Sequence, residues 1–77
     1  MKRAEWCEKY MKEIGVISAL LRDKGFDLGM AEAVFCNAAR LGRIPDGDEP
    51  AVRAALATLG GAEYWERLSE EYAELVI

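Results

Sequence analysis

The segment DLGMAEAVFCNAARLGRIP, from Asp27 to Pro45, carries the clearest folding signals in the chain. Its apolar residues recur at steps of three and four, which is the spacing of one face of an α-helix. Asp27 is a favourable N-cap residue. Gly42 suits the left-handed position that follows a helix, and Pro45 prevents the helix from continuing. These signals predict a helix over residues 27–41.

Toward the N-terminus, a longer pattern predicts a helix over residues 2–24. Its apolar stripe has helical spacing and consists of Trp6, Tyr10, Ile14, Ile17 and Leu21. Gly25 fits the position of a left-handed C-terminal cap. Gly15 interrupts the pattern, and we expect it to mark either a close helix crossing or a bend.

Toward the C-terminus, two shorter helices are predicted, over residues 48–59 and 62–76. Asp48 is the predicted N-cap of the first, with Pro50 in its opening turn, and two glycines separate the pair. The buried side of the last helix is predicted to hold Trp65, Leu68, Tyr72 and Leu75. We expect the apolar residues 75–77 to be partly buried, with contact to another molecule as the alternative.

These patterns predict an all-α fold, a compact bundle of about four short helices that forms a single domain over residues 1–77. No segment alternates with period two for long enough to predict a strand. The 77 residues leave room for one hydrophobic core. A bundle of this size is not expected to hold a pocket of several hundred Å³.

The chain has 14 acidic and 10 basic residues, and its formal net charge is −4. Residues 48–77 hold seven acidic and two basic side chains, whereas residues 1–25 hold four acidic and six basic ones. This balance makes direct nucleic-acid binding an unfavoured prediction, because such binding uses clustered Lys and Arg. Neither a signal peptide nor a membrane span is expected, so a cytoplasmic location is predicted.

The residues that usually carry site chemistry are sparse. There is no histidine, and Cys7 and Cys36 alone cannot complete a zinc site. Both are predicted to be reduced thiols that serve in packing. The acidic run 46–49 predicts a turn rather than a calcium loop. Without a histidine base or a glycine-rich phosphate loop, we expect no metal, no cofactor and no enzyme activity.

The last predicted helix has an unusual acidic stripe. Glu63, Glu66, Glu70 and Glu74 follow each other at steps of three and four, and Glu71 lies beside them. Like charges four residues apart destabilise a helix slightly, so stability alone does not account for the pattern. One hypothesis is that these five glutamates bind a partner protein with a basic surface. The alternative is a solvated face, neutralised within the fold by Lys2, Arg3 and Lys9.

The sequence therefore predicts a non-enzymatic protein–protein interaction module. One version is a small inhibitor or adaptor that docks its acidic helix on a nucleic-acid-handling protein complex. Size and charge alone suggest an analogy with small acidic proteins of phages and mobile elements, including inhibitors of CRISPR defence.

Two alternatives stay open. The first is a self-associating structural bundle, in which the apolar end and the first-helix stripe form a homodimer. The second, less favoured, is a helix-turn-helix DNA-binding regulator, suggested by the spacing of Ala38 and Gly42 but opposed by the acidic residues that follow.

Overall fold

The computed structural model describes residues 1–75 and contains five α-helices. We label them in chain order α1 (Arg3–Lys9), α2 (Met11–Leu20), α3 (Leu28–Leu41), α4 (Pro50–Ala57) and α5 (Ala62–Ala73). A 3₁₀ turn, Arg22–Lys24, follows α2, and no strand occurs among the described residues. The predicted all-α class is confirmed. The last helix, α5, ends at Ala73, three residues before its predicted end at residue 76. Residues 76 and 77 lie outside the described residues.

The first predicted helix, over residues 2–24, is not continuous, so five helices are present where about four were predicted. It breaks at Tyr10 (φ −105°, ψ 18°) and again at Leu21 (φ −106°, ψ 14°). Both residues are buried, so each break lets the chain turn while its side chain stays in the core. Gly15 lies inside α2, and no side chain or neighbouring element comes within 4 Å of the position a Cβ would take there. The expectation that Gly15 marks a close helix crossing was therefore wrong, and the helix runs through it without a break.

The predicted ends of α3 are confirmed. The Asp27 carboxylate accepts a hydrogen bond from the Met30 amide at 2.9 Å, as expected of an N-cap. Gly42 is left-handed, with φ 74°. The Arg43 amide donates to the Ala38 carbonyl and the Gly42 amide to the Ala39 carbonyl, which is the Schellman pattern. Local chemistry alone thus sets both ends of this helix.

The start of α4 differs from the prediction. Glu49, not Asp48, occupies the N-cap, and its side chain makes no capping hydrogen bond. Pro50 is the first helical residue, where its fixed φ suits the helix and its missing N–H costs nothing. Because Pro50 takes this position, the N-cap falls one residue after Asp48. The helix ends at Ala57, two residues before the predicted end.

The core forms around α3, which packs against α2 on one side and α5 on the other. Aromatic rings from α1, from the break at Tyr10 and from α5 meet Phe35, with centroid distances of 5.6 Å to Trp6, 5.6 Å to Tyr10 and 5.7 Å to Trp65. Leu75 is half-buried and packs against this core. Across residues 1–75, no helix combines the length and the apolar character that crossing a bilayer requires.

Candidate partner-binding face

Helix α5 has one side in the core and the opposite side in solvent. Trp65 and Leu68 are buried, and Tyr72 packs against the core beside them. The Trp65 indole N–H donates to the Gly60 carbonyl at 3.2 Å, which ties the start of the helix to the preceding loop. The inner side therefore fixes the rotation of α5 about its own axis.

Four of the five predicted site residues lie together on the outer side. Glu63, Glu66, Glu70 and Glu74 are all exposed, and we refer to them as the acidic face. At 100° per residue they span a sector centred opposite Trp65 and Leu68. With a rise of 1.5 Å per residue, the row extends over about 16 Å. The helix thus presents a narrow row of carboxylates on a backbone held by the core.

No cation in residues 1–75 forms an ion pair with the acidic face. Two ion pairs occur in that range, Lys9 with Glu71 and Arg43 with Asp46. Arg67 lies between the acidic residues in sequence, but its guanidinium stacks 5.4 Å from the centre of the Tyr64 ring. The negative charge of the face is therefore not balanced by direct contacts within the described part of the chain.

Lys2, Arg3 and Lys9 were considered as cations that neutralise the acidic face, but two of them lie near other groups. Lys9 reaches α5, but it contacts Glu71, with Nζ 3.4 Å from Oε1. Arg3 is close to the Tyr72 hydroxyl and to Cys36, and both raise the pKa of its guanidinium. Two of the three cations thus point toward the inner edge of α5 rather than toward the acidic face.

Glu71, the fifth predicted residue, faces the interior of the bundle. Its Oε1 accepts hydrogen bonds from the Tyr10 hydroxyl at 2.8 Å and the Trp6 indole N–H at 3.1 Å, in addition to Lys9. Partial burial by itself raises the pKa of Glu71, but these hydrogen bonds and the Lys9 charge outweigh it, and the pKa is lowered. The side chain is 31% exposed. Glu71 therefore connects α5 to α1 and is not free to bind a partner through Oε1.

The sequence contained a signal for this second role. Glu71 lies three residues after Leu68 and four before Leu75, so it shares the spacing of the buried side. A carboxylate at such a position needs donors, because burial without hydrogen bonds is costly. The donors come from α1 and from the break that follows it, more than 60 residues earlier in the chain. Helical spacing was enough to assign Glu71 to a different side of α5 from the acidic face. It could not identify Trp6 and Tyr10 as the hydrogen-bond donors to Glu71.

The acidic face extends to the C-terminal end of α5, where negative charge lowers the stability of the helix. Glu74 caps the C-terminal end of α5, and the last turn contains no basic residue. A carboxylate there opposes the helix dipole, which costs a few tenths of a kcal/mol, and like charges four residues apart add a similar cost. Glu63 in the first turn is favourable on the same argument. The C-terminal half of the face is thus held against local helix energetics.

A depression of about 590 Å³, open to solvent, adjoins one end of the acidic face, contrary to the expectation that so small a bundle holds no such pocket. It lies at the start of α5 and is lined by Gly60, Glu63, Tyr64 and Arg67, among others. Gly60 is required there, because a Cβ would come within 2.5 Å of the Tyr64 side chain. The two glycines that end the loop between α4 and α5 leave this space open because they carry no side chains.

No protein-family model, curated protein or solved structure matches the chain. Within residues 1–75, no group of three or more potential ligands is placed to hold a metal ion. The geometry of α5 is therefore the observation on which a functional proposal can be built.

Proposed function

We propose that the chain is a non-enzymatic interaction module that docks the acidic face of α5 on a basic surface of another protein. The observation that carries the proposal is the row of four exposed glutamates without an ion pair in the described residues. Basic side chains on a partner would form the ion pairs that these glutamates lack within the described residues. It would also accelerate association and select against acidic surfaces.

The spacing of the carboxylates favours a partner that normally handles nucleic acid. Successive members of the row are about 4.5–6 Å apart along the helix axis, so the charges form a nearly regular row. Surfaces that bind a phosphate backbone present rows of Arg and Lys, and the same side chains bind carboxylates, often with two hydrogen bonds. A chain that occupies such a surface would act as an inhibitor or an adaptor in the cytoplasm, as in the phage and mobile-element analogy.

The way α5 is held supports tight docking. Binding through flexible side chains on a flexible backbone loses conformational entropy, whereas a preorganised backbone reduces that loss. Here the buried Trp65 and Leu68 fix the helix, and Glu71 anchors its edge to α1. Only the glutamate side chains have to be ordered when the partner binds.

Affinity capture with a charge-reversed variant tests the proposal. The tagged wild type and the triple variant Glu66→Lys, Glu70→Lys, Glu74→Lys are incubated with the DNA-binding fraction of a host lysate. A matched control reverses three exposed acids elsewhere, Glu8→Lys, Asp23→Lys and Glu49→Lys, and has the same net charge. We expect the control to retain the partners and the α5 variant to lose them. If the α5 variant retains every partner with unchanged affinity, the acidic face is not the docking surface.

Salt and nucleic acid then test the kind of partner. The complex should weaken as ionic strength rises, because exposed charge pairs are screened beyond about 10 Å at 0.1 M salt. Duplex or single-stranded nucleic acid added to the complex should displace the chain from its partner. Displacement by salt but not by nucleic acid would indicate a basic surface with another role.

The self-associating alternative would need a different surface from the one first expected. The first-helix stripe is inside the fold, with Trp6, Ile14 and Ile17 at most 1% exposed. The exposed large apolar residues of α2 are instead Met11, Val16 and Leu20. Val16 and Leu20 lie four residues apart, and Leu20 borders a groove of about 260 Å³ against α4. A rise in molar mass with concentration in light scattering, abolished by Leu20→Glu, would favour this alternative.

The helix-turn-helix alternative has less geometric support. The Ala38–Gly42 placement puts eight residues, 42–49, between α3 and α4, whereas that motif uses a turn of three or four. Placing the turn of the motif at Gly25 instead would make α3 the recognition helix, but α3 is packed against both α2 and α5. Direct binding to duplex DNA at low salt would support this alternative over the docking proposal.

A further inference from the structure

Two buried cysteines meet across the packing of α1 against α3. The Sγ atoms of Cys7 and Cys36 are 3.7 Å apart, and both residues are 4% exposed. They are free thiols, separated by 29 positions in sequence. A disulfide has an S–S distance of about 2.05 Å, so each sulfur would have to move by less than about 1 Å. No part of the proposed docking surface uses this pair.

We propose that Cys7 and Cys36 form a reversible intramolecular disulfide, made by exchange with a low-molecular-weight disulfide, that latches α1 onto α3. The inference is independent of the proposed function. It rests on the sulfur contact and on the way α1 is attached to the bundle.

Helix α1 is the element most able to open. It has seven residues, fewer than an isolated helix needs to be stable in water, and the break at Tyr10 separates it from α2. Contacts with other helices hold it in place: Trp6 against Phe35, Trp6 and Lys9 with Glu71, and Cys7 against Cys36. Short segments held mainly by tertiary contacts open locally while the rest of a fold persists.

Opening is what makes the pair reactive. In the closed state, burial, together with the nearby Cys36, raises the pKa of Cys7 to about 12, so the nucleophilic thiolate is scarce. When α1 lifts away, Cys7 enters water on the opened segment. Its thiolate attacks one sulfur of the small disulfide, whose S–S bond breaks and releases one small thiolate.

Closure of α1 completes the reaction. The Cys36 thiolate attacks the Cys7 sulfur of the mixed disulfide, the Cys7–Cys36 bond forms, and the second small thiolate leaves. The two protein thiols together lose two electrons and two protons, and the small disulfide becomes two thiols. The bond closes a loop of about 30 residues, which restricts the unfolded chain and raises the melting temperature by on the order of 10 °C.

Incubation with oxidised glutathione, followed by intact-mass analysis and a thermal melt, tests the inference. The wild type should lose two hydrogens, carry no glutathione, form no disulfide between chains, and melt higher until a dithiol reverses the change. Cys36→Ala should instead accumulate one glutathione on Cys7. A wild type that stays reduced, keeps glutathione attached or forms cross-linked dimers would overturn the proposal.

A second variant tests the opening step without touching either cysteine. Glu71→Gln weakens the contacts that hold α1 closed, so its oxidation should be about tenfold faster than that of the wild type. The neighbouring change Glu70→Gln removes the same charge from the exposed side and should leave the rate unchanged. Equal rates in all three proteins would show that α1 does not open on the route to the disulfide.

Discussion

Glu70 and Glu71 are adjacent in sequence and chemically identical, yet they do opposite things in the fold. Glu71 accepts hydrogen bonds from Trp6 and Tyr10 and pairs with Lys9, whereas Glu70 lies exposed in a row of like charges. One step of 100° around α5 separates a structural carboxylate from one that the fold does not use. The comparison teaches that charge on this helix has to be interpreted by face and not by count.

The largest effect is expected on the inner side of α5. Trp65 is 1% exposed, and its ring meets Phe35 and Tyr64 edge-on. Trp65→Ala removes this packing and should lower the free energy of unfolding by about 3–5 kcal/mol, most of the stability of a small domain. Denaturant unfolding followed by circular dichroism measures the change. Glu66→Ala on the opposite side is the matched control and should stay within about 0.5 kcal/mol of the wild type.

The next effect separates the two adjacent glutamates directly. Glu71→Gln keeps the shape of the side chain but removes the charge from the hydrogen bonds donated by Trp6 and Tyr10 and from the Lys9 pair. Because the site is partly open to solvent, we expect a loss of about 1–2 kcal/mol. Glu70→Gln should cost nothing measurable. Equal effects of the two substitutions in urea unfolding would mean that the hydrogen bonds around Glu71 add no net stability.

The pH dependence of the free energy of unfolding should reveal the structural role of Glu71 independently. The pKa of Glu71 is lower in the folded chain than in the unfolded one, so the unfolded state binds more protons between the two values. The stability that Glu71 contributes is therefore fully present above its unfolded pKa and is lost as pH falls through its folded pKa. The gap between wild type and Glu71→Gln should be constant near neutral pH and close on acidification below about pH 4. A gap that persists at pH 2 would mean that the stability lost in Glu71→Gln does not come from the charge of Glu71.

Whether a sequence-based prediction succeeded depended mainly on how far apart in sequence the interacting residues lie. Both ends of α3 were predicted correctly, because Asp27 and Gly42 act on backbone groups a few residues away. The predicted N-cap of α4 was wrong by one residue. The preference of Pro50 for the first helical position outweighed the preference of Asp48 for the N-cap position. The break at Tyr10 was not predicted at all. Its ring packs on Trp6 and Phe35 and its hydroxyl reaches Glu71, so its cause is tertiary packing, which single-chain periodicity does not contain.

The candidate site divides in the same way. The four members of the acidic face could be placed together from their spacing alone, because helical geometry determines which residues share a side. Their lack of ion pairs in residues 1–75 could not be predicted, since it depends on which groups the basic side chains of α1 contact in the folded chain. Lys9 was considered as a neutralising partner and does pair with α5, but with the one glutamate outside the face.

The smallest expected effect has the opposite sign and sharpens the comparison most. Glu70→Lys removes repulsion with Glu66 and Glu74 and creates a Glu66–Lys pair in the favourable orientation four residues apart. It also places a cation in the last turns of α5, where the dipole favours it. We expect stabilisation of about 0.5 kcal/mol, detected as a small rise in melting temperature at low salt that fades at 1 M salt. The same substitution should weaken capture of a basic partner. A single change that strengthens the fold and weakens binding would indicate that the acidic face is retained at a cost to stability, whereas a destabilising Glu70→Lys would mean that the row already suits the helix and needs no partner to explain it.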